Sequence, residues 1–86
     1  MHVIRVAVVE DDARLRRAFV DTLESSSDCR CVGAFATGQE AVHGIPPLDP
    51  DVVIMDVNLP DSTGMEYIQA LSADLSRSQL LRVRVY

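Results

Sequence analysis

The chain has 86 residues, 48% of them hydrophobic, which suits one small globular domain near the lower limit of what buries its own core and excludes a disordered polar tail. Its 8 basic residues, all arginine, face 13 acids for a net charge of -5, which argues against a nucleic-acid-binding face. No apolar run approaches a membrane span, and the Met-His-Val-Ile-Arg start lacks signal-peptide anatomy, so a cytoplasmic protein without membrane contact is expected. In chain order, Val3 to Val9 is β-branched and apolar, the composition of a buried strand, and it ends on Glu10-Asp11-Asp12. Leu15, Ala18, Phe19, Thr22 and Leu23 then follow a helical period, with Asp12 placed to cap the helix and Ser25 to Asp28 to break it.

Cys29 to Ala36 predicts a second strand. Its two cysteines point to one side, cannot easily bridge, and are expected as buried free thiols. Thr37 and Glu40 have capping-box spacing for a short helix, which Pro46-Pro47 and Pro50 are expected to stop at Gly44. The stretch Asp51-Val-Val-Ile-Met-Asp-Val-Asn-Leu-Pro60 carries an unbroken apolar run that ends on Asp56, the pattern of a central parallel strand. Ile68, Leu71 and Leu75 mark a third helix, and Gln79 to Tyr86 a fourth strand. Strands alternating with helices predict an open parallel α/β sheet of the flavodoxin-like type, with about four strands and three helices.

In such sheets chemistry takes place outside the carboxyl ends of the strands. If the first and third strands are neighbours, Glu10, Asp11 and Asp56 converge there. Carboxylates so close repel one another unless a proton or a cation lies between them. Hard oxygen ligands in a hydrated site suit Mg²⁺, leaving one aspartate as a nucleophile for phosphoryl transfer. The plainer alternative for Glu10-Asp11-Asp12 is a solvated turn that caps a helix.

The combination Val8-Val9-Glu10-Asp11-Asp12, Val53-Ile-Met-Asp56-Val-Asn58-Leu-Pro60 and Gly64-Met-Glu resembles the receiver domain of bacterial two-component response regulators. The wording looks most like receivers that precede a LuxR-type DNA-binding domain. The resemblance implies that Asp56 accepts a phosphoryl group from a sensor histidine kinase. It also implies that Glu10 and Asp11 hold Mg²⁺ together with Asp56 and the backbone carbonyl of Asn58. A signalling module that is not a turnover enzyme is expected, regulating a DNA-binding output domain. An aspartyl-phosphate phosphatase is disfavoured, because Asn58 stands where those enzymes place a general acid.

The chain departs from the family pattern near its end. Residues 1–86 are expected to be the N-terminal portion of a receiver, without the fifth strand and the last two helices. No lysine is present, and Arg84 stands near the position of the phosphate-binding hydroxyl, which makes Arg84 a candidate neighbour of the phosphoryl site. Arg82 and Arg84 share one face of the fourth strand, which suits a sheet edge or a terminus that never docks. An uncovered apolar helix side invites a homodimer or strand exchange. These departures keep a second reading open, a pseudo-receiver that works through protein contacts alone.

Overall fold

A computed structural model describes residues 3–55 and the backbone of residues 83–85. Its elements are β1 (Ile4–Val9), α1 (Ala13–Glu24), β2 (Cys29–Phe35), α2 (Gly38–Leu48), β3 (Val52–Met55) and β4 (Val83–Val85). The expected third helix lies outside the described residues.

The four strands form one parallel sheet in the order β2-β1-β3-β4, so β1 and β3 are its central pair. The apolar runs of β1 and β3 can be buried on both faces because helices cover a parallel sheet from either side. The chain moves one way from β1 to β2 and the other way from β2 to β3. With right-handed crossovers, that reversal sends α1 and α2 to opposite faces.

One face of the sheet, bearing Ala7, Val9, Val53 and Met55, packs against Ala41 and Ile45 of α2, with Phe35 and Val42 alongside. Burying side chains such as Ile45, Met55 and Val9 stabilises the fold by about 1.5–3 kcal/mol each. Val6 and Val8 alternate to the other face and are equally buried. No residue of α1 is buried, and Leu15 remains 42% exposed.

Two clips set the register of the central pair. Asp51 accepts from the Arg5 amide at 3.0 Å, and the Asp51 amide donates to the Arg5 carbonyl at 2.8 Å. From there Val6 to Val9 run beside Val52 to Met55 in step. The β1–β2 ladder shifts between Val6 and Ala7, leaving Val32 as an extra residue on β2.

The structure corrects the expected end of α2. The helix continues through Pro46 and Pro47 to Leu48 and closes on Asp49, whose φ is 50°. Two features compensate for the amides the prolines lack. Ile45 anchors the last turn in the core. The Arg5 guanidinium donates to the carbonyls of Leu48 at 2.7 Å and Asp49 at 2.9 Å, and so satisfies a helix end from the neighbouring strand.

Cys29 and Cys31 are free, as expected, but half-buried, because β2 is an outer strand of the sheet. Of the two arginines expected on the fourth strand, Arg84 lies in β4, which pairs with β3, and Arg82 lies outside the described residues.

Candidate functional site

Strand order 2-1-3-4 reverses direction between β1 and β3, and open α/β sheets bind ligands at such a switch point. The acids at the end of β1 stand at its rim. Val9, the last residue of β1, pairs with Met55, the last residue of β3. Glu10 and Asp56 are the next residues in sequence after each.

Glu10 is 2% exposed, the only buried charged side chain among the described residues. A carboxylate removed from water needs hydrogen-bond partners or a counter-charge. The Glu10 amide donates to the Phe35 carbonyl at 3.0 Å, its Oε2 accepts from the Asp12 amide at 3.2 Å, and its carbonyl accepts from Arg16 Nη1 at 2.9 Å. Asp11, one residue on, is exposed.

Asp12 is withdrawn from the acid pair, as its capping position predicts. Its Oδ1 accepts from the amides of Arg14 at 2.9 Å and Leu15 at 3.2 Å. The carboxylate thus serves the positive end of α1. A comparable cap opens α2, where Thr37 Oγ1 accepts from the Glu40 amide at 3.1 Å and Glu40 Oε1 accepts from the Ala36 amide at 3.2 Å.

Arg16 was not legible as a site residue from periodicity alone. It stands one turn beyond the Asp12 cap, where a helical side chain leans back toward the N-terminus and so reaches the end of β1. That lean is the signal that could have found it.

Glu10 and Asp11 are therefore adjacent at the switch point. Asp56 and Asn58 lie outside the described residues. Among the described residues no three His, Cys, Asp or Glu side chains gather in a metal-holding cluster. The donor chemistry of the acid pair, one carboxylate held and one open to water, fits a hard cation such as Mg²⁺ that keeps part of its hydration. The backbone of Arg84 pairs with Ile54, two residues before Asp56 in sequence.

Elsewhere, an open cleft is lined by Arg5, Glu24, Cys29, Arg30, Cys31 and Leu48, among others. Burial pushes the Cys31 thiol up from its ordinary range, opposed by a backbone hydrogen bond at Gly33 and helped by the charge of Glu24. Among the described residues no helix is long and apolar enough to cross a membrane.

Comparison with known proteins adds the family. A model described as the response regulator receiver domain matches residues 6–83. A protein-glutamate methylesterase/protein-glutamine glutaminase of Methanococcoides burtonii is 41% identical over 68 residues, covering 79% of this chain and 19% of the relative. Its counterpart in Thermotoga maritima is 39% identical over 69 residues, covering 80% and 20%. The chain thus spans about a fifth of the length of the curated relatives it matches.

Among solved structures, the response regulator domain of Thermotoga maritima CheB superposes with a TM-score of 0.81 at 34% identity, over 98% of this chain and 58% of that one. The signal receiver domain of the putative response regulator NarL from Mycobacterium tuberculosis gives 0.79 at 27%, over 99% and 64%. The resemblance to receivers holds, and the LuxR-type subfamily is not singled out. The expectation of a module that is not an enzyme is corrected by these relatives, since the matched proteins of Methanococcoides burtonii and Thermotoga maritima are named as enzymes. Sequence reasoning went astray there because it weighed only the chemistry of the acid site, and the matches cover a minor part of each enzyme.

Proposed function

Because the chain belongs to the response regulator receiver family of two-component phosphorelay signalling, we propose that Asp56 is its phosphoacceptor, loaded by a sensor histidine kinase. The observation that carries this reading is the buried Glu10 beside the exposed Asp11 at the β1–β3 switch point, one residue past the Val9–Met55 pair. Glu10, Asp11 and Asp56, with the Asn58 carbonyl, would hold Mg²⁺. When bound, Mg²⁺ offsets the negative charge that an incoming phosphoryl group brings to the acids.

A carboxylate oxygen of Asp56 attacks phosphorus as the bond to the donor breaks. An acyl phosphate forms, and the donor, phosphohistidine imidazole or acetate, leaves with the electron pair of the broken bond. Such a transfer needs alignment and charge neutralisation and little else from the protein. The register that sets the Arg84 backbone beside Ile54, two residues before Asp56 in sequence, supports Arg84 as a candidate neighbour of the phosphoryl site.

The test is incubation with acetyl phosphate and Mg²⁺, followed by intact-mass measurement. Wild type gains one phosphoryl group, and Asp56→Asn gains none. An unmodified wild type would favour the pseudo-receiver.

The relatives also bear on which output the receiver serves. Identity to the CheB receiver, 34%, exceeds that to the NarL receiver, 27%, so a protein-glutamate methylesterase output ranks ahead of the DNA-binding output expected from sequence. Methyl-ester hydrolysis by the intact protein, raised on phosphorylation, is the check, and a basic helix-turn-helix following the receiver would reverse the order. The exposed face of α1 around Leu15 supports self-association.

A further inference from the structure

We infer that Arg16 is a positioning residue for the cation site, fixing the Glu10 carbonyl and through it the Glu10–Asp11 acid pair. The inference rests on the reading of that pair as the holder of Mg²⁺. Three elements converge on Glu10: β2 through the Phe35 carbonyl, the α1 cap through the Asp12 amide, and α1 itself through Arg16. The contact from Arg16 acts on the peptide group that joins Glu10 to Asp11. That group is planar, so holding its oxygen fixes the orientation of both flanking α-carbons, including the one from which the Asp11 carboxylate departs.

Arg16 differs from its neighbours on the helix. Arg14 and Arg17 are exposed, and Arg17 lies 3.3 Å from Asp21 in an ordinary helix-surface pair, whereas Arg16 is half-buried. The start of α1 does not depend on the Arg16 side chain, because Asp12 caps it and the Arg16 amide donates to the Asp12 carbonyl at 2.8 Å. The guanidinium therefore serves the end of β1.

Position and charge predict opposite outcomes. A cation beside the acids repels a second cation, so if charge were the main contribution, removing Arg16 would tighten Mg²⁺ binding. If position dominates, removal weakens it, as loss of a group that orients metal ligands does.

The experiment titrates the chain with MgCl₂ at constant ionic strength, read by calorimetry and by the amide resonances of Glu10 and Asp11. Arg16→Ala and Arg16→Gln are expected to weaken binding about 10-fold or more. Arg16→Lys, whose ammonium can still donate to the carbonyl, recovers part of the loss. Arg17→Ala, which removes the same charge from the exposed side, leaves affinity unchanged. With acetyl phosphate as donor, the Arg16 variants reach the wild-type rate once Mg²⁺ is raised to saturation.

Equal or tighter binding by Arg16→Ala and Arg16→Gln would overturn the inference, as would an equal loss in Arg17→Ala. If Arg16→Ala does not fold by circular dichroism, the Gln and Lys variants decide. Failure of the underlying reading is separately visible. A wild type that binds no Mg²⁺ removes the cation site, while faster hydrogen exchange of the Asp12 amide in Arg16→Gln still reports a loosened Glu10.

Discussion

Three consecutive acids take three different physical roles. Glu10 is buried and held from several sides, Asp11 faces water, and Asp12 is committed to a helix cap. Their difference comes from what each one meets after β1 ends. The thiol of Cys31 shows the same dependence on surroundings, because burial favours its neutral form. Its folded-state pKa lies above the unfolded value, so the unfolded chain loses its proton first as pH rises. The contribution is full below the ordinary thiol range and is lost as pH climbs from there through the raised folded-state value. Denaturant midpoints are therefore expected to fall between neutral and alkaline pH, by less in Cys31→Ser. A second reading is alkylation by iodoacetamide, which should proceed more slowly at Cys31 than at a free model thiol at the same pH.

At the scale of elements, α2 is held by its fit to β2 and by help at its end. Phe35 lies over Gly44, where an added β-carbon would stand 2.3 Å from Cε1 and 2.7 Å from Cζ of the ring. The ring's Cε2 and Cζ lie 3.2 Å from where a β-carbon on Gly33 would stand, so the ring sits between two glycines. Gly44→Ala gains about 1 kcal/mol in helix propensity and loses about 1–3 kcal/mol to overpacking. A net destabilisation of about 1 kcal/mol is expected from urea melts, and a more stable variant would show that the ring yields freely. The prolines of α2 teach a related lesson. Sequence rules end the helix at Gly44, but a lost amide near a helix end costs little when Ile45 is buried and Arg5 binds the exposed carbonyls.

For the whole molecule, the switch point and the acidic balance act together. A net charge of -5, with Glu10 and Asp11 just past the end of β1, favours binding a divalent cation to the folded chain over the unfolded one. A ligand that binds only the folded state at 100 times its dissociation constant stabilises by about 2.7 kcal/mol. Thermal melts in saturating MgCl₂ should rise accordingly above melts in NaCl of equal ionic strength. Glu10→Gln should remove most of the rise, because the buried carboxylate is lost while the side-chain shape is kept. An unchanged rise in that variant would move the cation away from β1.

Much of the architecture was legible beforehand. β-branched runs, the Asp12 and Thr37 caps and the alternation of strand with helix are local properties, readable because hydrogen-bonding needs and side-chain periodicity operate within a few residues. The acidic strand ends and Asp56 were legible as motifs for the same reason. Tertiary structure decided the rest. It made β1 and β3 neighbours, buried Glu10 while leaving Asp11 in water, extended α2 through two prolines and brought Arg16 to the Glu10 carbonyl. Each of these depends on which distant segment supplies a partner or excludes water, and no local pattern records that.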